Sequence, residues 1–159
     1  MKMTKVSGLG LSLVLVSMPV IANAADICAA LRLLRYNKAN DFGKYRGQPK
    51  SSPGKFTGKL KVDGTDSCIL TVGNGSLPTR YSCFSDDMDR TQVTQEVRGV
   101  IAEVDDCLKK DGKKTTKKDT KSTIFDTEWD NVGNGAYFIW VSANAVSGDW
   151  SWSITLGLK

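Results

Sequence analysis

The strongest periodic signal in the chain lies at 89–110, where Val93, Val97, Val100, Ile101, Val104 and Leu108 fall on one stripe at the helical repeat. Asp89 with Gln92 three residues on resembles a capping box, and Lys109 and Lys110 stand in the last turn before Gly112. A shorter helix is predicted after Ala25, capped by Asp26, with Ile27, Leu31 and Leu34 on one face and Cys28 beside it. Elsewhere the period is two. Over 55–62, Phe56, Leu60 and Val62 alternate with Lys55, Lys59 and Lys61, which predicts a strand with one wet face. Asp63-Gly64 then signals a hairpin turn into a strand at 67–72, with Cys68, Leu70 and Val72 on one side. The chain turns again at 73–78 and returns at 79–84 with Tyr81 and Cys83 on alternate positions.

Three more strands close the chain, at 124–129, 136–143 and 150–158, joined by Asn-, Gly- and Ser-bearing turns. In the last of them Trp150, Trp152, Ile154, Leu156 and Leu158 alternate with Ser151, Ser153, Thr155 and Gly157, so one face is buried. The strand before it differs: Phe138 and Trp140 alternate with Tyr137, Ile139 and Val141, leaving both faces apolar. One of those faces needs the helices, and the other needs a second cover. Two stretches have no period at all. Residues 37–53, rich in Gly, Lys, Asn, Ser and Pro, read as a connection. Residues 109–121, with seven lysines including Lys113, Lys114, Lys117 and Lys118, read as a solvated, mobile linker. The resulting order α-β-β-β-α-β-β-β, with short links between consecutive strands, predicts an α+β fold: an antiparallel sheet of about six strands with two helices on one face.

Before the first helix, Lys2 and Lys5 precede a largely apolar run at 6–16, and Ala22-Asn23-Ala24 supplies a signal-peptidase site after the helix-breaking Pro19. Residues 1–24 are expected to be a cleaved signal peptide of bacterial type, and 25–159 a single domain delivered to the periplasm. The run falls short of the about 20 apolar residues of a membrane-spanning helix, and no second stretch qualifies. Asp26 stands where a lipobox needs a small apolar residue before Cys28, so the protein is not expected to be a lipoprotein.

Composition sharpens this picture at two points. Four cysteines, all after the signal, predict two disulfides in an oxidising compartment. A hairpin symmetric about Gly75 and Ser76 sets Cys68 opposite Cys83, and elimination pairs Cys28 with Cys107, helix to helix. No Cys-x-x-Cys pair and no histidine is present, so neither a metal site nor a cofactor is expected. Removing Lys2 and Lys5 from the 22 basic residues leaves 20 against 17 acidic ones, so the net charge falls from +5 to +3. Nucleic acid is not an expected partner, because no aromatic residue is interleaved with the lysines.

The lack of histidine also removes the usual general base, and no nucleophile elbow, phosphate loop or dinucleotide fingerprint occurs, so no catalytic residue is assigned and an enzyme is not expected. What remains is binding. Phe138, Trp140, Trp150 and Trp152 are candidate contact residues, with Lys113, Lys114, Lys117 and Lys118 as a basic patch. The first expectation is a noncatalytic periplasmic domain that binds another envelope or secreted protein, as an inhibitor, immunity protein or secretion accessory factor, or that pairs with itself as a dimer. The alternative is a binder of anionic envelope glycan or lipid. A third is a histidine-free glycan hydrolase using carboxylates among Asp86, Asp87 and Asp89, or Asp126 and Glu128.

Overall fold

Two apolar helix stripes and a set of one-sided strands have one economical arrangement, in which the stripes close over the apolar side of a single sheet. A computed structural model describes residues 25–37, 40–109, 111–117 and 122–159 and shows this arrangement. The expected signal peptide and Lys110, Lys118 and Lys121 lie outside the described residues. The elements are α1 (Ile27–Tyr36), β1 (Arg46–Pro49), β2 (Lys55–Gly58), β3 (Ser67–Thr71), β4 (Arg80–Met88), α2 (Arg90–Leu108), β5 (Lys113–Thr116), β6 (Thr123–Asn131), α3 (Val132–Gly135), β7 (Tyr137–Val146) and β8 (Asp149–Leu158), so that a short third helix in the β6–β7 connection joins the two that the hydrophobic pattern indicates. The fold is α+β. Among the described residues the eight strands form one antiparallel sheet in the order β1-β2-β3-β4-β8-β7-β6-β5. Each half is thus a helix followed by a four-strand meander, and the halves join through their last strands, β4 and β8.

The sheet has eight strands where the hydrophobic pattern indicates about six, and the two additions are its edges. β1 falls inside the stretch read as a connection, and β5 inside the lysine-rich stretch read as a linker. An edge strand bonds along one side only and needs no buried face, so it carries no alternation to detect. All four residues of β5 are exposed, and the lysines of this segment are the kind of side chain that blunts an edge against further pairing. β2 stops at Gly58 instead of continuing to Val62. There the Tyr81 hydroxyl donates to the Leu60 carbonyl (2.8 Å) and accepts from the Leu60 amide (2.9 Å), in place of ladder bonds. A Cβ on Gly58 would lie 2.4 Å from that hydroxyl, so only glycine lets the ring pass.

Both helices begin as their sequences direct. Asp26 accepts the Ala29 amide, and Asp89 accepts the amides of Thr91 and Gln92. The Gln92 side chain reaches forward to Glu96 rather than back, so the capping box is one-sided. Ile27, Ala30, Leu31 and Leu34 of α1, and Val93, Val97, Val100, Val104 and Leu108 of α2, are buried against Leu70, Tyr81, Ile139, Val141, Trp152, Ile154 and Leu156 of the sheet. The two disulfides are Cys28–Cys107, between the helices, and Cys68–Cys83, between directly opposed residues of β3 and β4. Paired cysteines of this kind belong to an oxidising, exported environment, and no helix among the described residues is long and apolar enough to cross a membrane.

Burial pushes the Tyr81 hydroxyl up from its ordinary 10.0 to about 12. The folded state therefore favours the protonated phenol. The stability this supplies is complete below pH 10 and is lost as pH rises from there through about 12. Urea midpoints taken between pH 8 and 12 should fall more steeply for the wild type than for Tyr81→Phe.

Candidate functional site

Alternation along β7 and β8 divides the aromatic residues between two environments. Tyr137, Ile139, Val141 and Ala143 of β7, and Trp152, Ile154, Leu156 and Leu158 of β8, face the helices and are buried. Phe138 and Trp140 face the other side, and both are half-buried. Trp152 is a core residue, 2 % exposed, and its indole N–H donates to the Glu96 carboxylate of α2 at 3.0 Å. Trp150 points to the same side as Trp152 but lies beyond it toward the sheet's end, half-buried, with the Arg90 guanidinium 5.5 Å from its ring centre. The four candidate aromatics thus do not form one patch, and only Phe138 and Trp140 share a surface.

That surface is the helix-free face of the sheet, and its aromatic rings are held from below and from the side. Phe138 lies across β8 at Gly157, where a Cβ would come within 1.9 Å of the ring. The β8 residues of this face are Ser151, Ser153, Thr155 and Gly157, all small, so the large β7 side chains can fold down over them. Thr155 and Ser142 are buried by that cover, and their hydroxyls pair with Ser82 (2.8 Å) and Ser153 (3.1 Å). Trp140 donates its indole N–H to Asp126 at 2.7 Å, and the second oxygen of Asp126 takes Lys117 at 3.1 Å. Pro78, Arg80, Lys117, Glu128, Phe138 and Trp140 line a cleft of ≈ 340 Å³ here.

The lysines divide as well. Lys117 is at the cleft, while Lys114 faces the helix side, where it pairs with Asp105 and sits 5.4 Å from the Trp129 ring centre. Lys113 stands on β5 opposite Asp130, exposed, and Lys118 is outside the described residues. Sequence reasoning missed Arg80 and Pro78, which reach this cleft only because β4 lies next to β8 and β8 next to β7. A basic residue at the start of a strand carries no signal by itself.

A second cleft, of ≈ 640 Å³, gathers seven carboxylates between the start of α1 and the side of α2: Asp26, Asp63, Asp66, Asp86, Asp87, Glu96 and Glu103. Several act as acceptors for the fold. Asp26 caps α1, Glu103 accepts the Ile27 amide (3.1 Å), Asp66 takes the Ser85 hydroxyl and the Asp86 amide, and Glu96 takes Trp152. Asp89 caps α2, and Asp126 is engaged by Trp140 and Lys117. Of the carboxylates considered for acid–base chemistry, then, Asp89 and Asp126 are already committed to hydrogen bonds that shape the protein. No known family, curated protein or solved structure matches this chain.

Proposed function

We propose that this protein is a noncatalytic, exported binding domain that engages another protein through the helix-free face of its sheet. The observation that carries this reading is the placement of Phe138 and Trp140: on the side away from α1 and α2, one seated over Gly157 and the other held by Asp126. Rigid aromatic side chains give large contact area at low entropic cost, which is why they dominate interface energetics. The disulfide between the helices and the one within the β3–β4 hairpin brace the scaffold that presents them. An inhibitor, an immunity protein or a secretion accessory factor all need such a rigid presenting surface. Binding of anionic glycan or lipid is the competing reading, and it draws on lysines of which two, Lys114 and Lys117, already have carboxylate partners.

Trp140→Ala and Phe138→Ala should each weaken capture of the partner from a cell-envelope extract, at a cost of about 2 kcal/mol or more, with little change in melting temperature. Retention of full binding by both variants would remove the face from consideration. Purified peptidoglycan and lipopolysaccharide, tested in parallel, should not compete. The compartment is proposed on the signal at 1–24. Intact-mass analysis of protein from the periplasmic fraction should give a chain beginning at Ala25, and an unprocessed chain in the cytoplasm would sink the periplasmic assignment.

A further inference from the structure

We infer that the partner presents an acidic segment to this face: one carboxylate seats on Arg80, and the apolar side chain next to it packs over Phe138 and Trp140. The inference rests on the protein-binding reading above and names the chemistry of the partner's contact. Arg80 opens β4 on the helix-free face, with its guanidinium 5.8 Å from the Phe138 ring centre. Its Nε is buried and has no hydrogen-bond acceptor, and among the described residues no carboxylate pairs with it. Lys117, the other cation of the cleft, already has Asp126. A guanidinium takes a carboxylate best through two parallel hydrogen bonds, and a partner's carboxylate would use the terminal amino groups of Arg80, because the protein itself covers the Nε. Glu128 also lines the cleft, but from β6, three strands along from β4, so the backbones that carry it and Arg80 are about 14 Å apart. Arg46 has the same orphaned Nε, but its guanidinium lies against Phe56 and outside these clefts.

The partner is a protein because the surface does not end at this cleft. Pro78 also lines a larger cleft of ≈ 900 Å³ on the other side of the β3–β4 loop. There Tyr36 is 86 % exposed and Leu77 59 %. The two cations of that cleft, Arg35 and Lys159, are paired with Asp111 and Asp130. Among the described residues that line the two clefts, Arg80 therefore stands as the positive charge without a carboxylate partner, on a stretch that runs from Tyr36 over Leu77 and Pro78 to Phe138 and Trp140. Aromatic residues and arginine around an apolar ridge are the composition of a protein–protein hot spot. One isolated guanidinium is too little to hold a polyanionic surface.

The test pans random 12-residue phage-displayed peptides on the disulfide-intact protein and measures synthetic copies of the enriched peptides by fluorescence anisotropy. Enriched sequences should place Asp or Glu within two residues of an aromatic or large aliphatic residue. Their affinity should fall about tenfold or more in Arg80→Ala and be partly kept in Arg80→Lys, melting of each variant confirming the fold. Amidating the peptide's acid should cost the same factor in the wild type and nothing further in Arg80→Ala. Peptides that need Trp140 but lack an acid and ignore Arg80→Ala would overturn this inference and leave the binding face standing. Failure to enrich any peptide that depends on Trp140 or Phe138 would overturn both.

Discussion

Replacing Cys28 and Cys107 together by Ser should destabilise the protein by about 4.5 kcal/mol, against about 3 kcal/mol for the pair Cys68 and Cys83. The difference comes from the unfolded chain. The first bridge closes a separation of 79 residues and the second one of 15, and the entropy that a cross-link removes from the unfolded state grows with the loop. The native states differ in the same direction. Cys68 and Cys83 are already register partners in a ladder that holds them together without the bond. Cys28 and Cys107 belong to separate helices, one from each half of the molecule, joined otherwise by apolar packing and the bond from the Ile27 amide to Glu103. Urea unfolding of both double variants, at matched m-values, checks the order. Equal losses would mean that the helix pair gains nothing from its bridge beyond what a hairpin gains.

Both bridges were legible in the sequence, and for different reasons. The turn at Gly75 and Ser76 sets Cys68 opposite Cys83 by local symmetry, and the second pair then follows by elimination. The α2 stripe and the one-sided pattern of β8 were equally plain, because each element buries one face. What was not legible is whatever depends on which strand lies beside which. Trp150 and Trp152 visibly share a side, but the sequence does not say that α2 covers Trp152 and brings Glu96 to its indole. Nor does it say that the helices take the Tyr137 and Ile139 side of β7, leaving Phe138 and Trp140 on the other. The lysine run reads as a solvated linker because Asp105 and Asp126, the partners of Lys114 and Lys117, are brought in only by α2 and the β5–β6 hairpin. Arg80 meets Phe138 through two strand pairings, β4 with β8 and β8 with β7, and only the folded sheet reveals it.

The contrast between Trp152 and Trp140 gives the sharpest check on which face binds. Trp152→Ala should cost about 4 kcal/mol, within the range for emptying a buried aromatic site, because the side chain is 2 % exposed and packed under α2. For a domain of this size that lowers the melting temperature by roughly 10–15 °C. Trp152→Phe refills most of the volume but leaves Glu96 without its indole N–H, so about 1–2 kcal/mol should still be lost. Trp140→Ala removes a ring of the same size that lies on the helix-free face, and its bond to Asp126 is replaceable by water and by Lys117. Its loss in stability should be well below that of Trp152→Ala, while its loss in binding should be the larger. Far-UV circular dichroism melts of the three variants, read beside their partner affinities, separate the two roles. Comparable melts for Trp152→Ala and Trp140→Ala would mean that the core extends to both sides of β7 and β8 at Trp140, and Trp140 would then have no free ring to offer a partner.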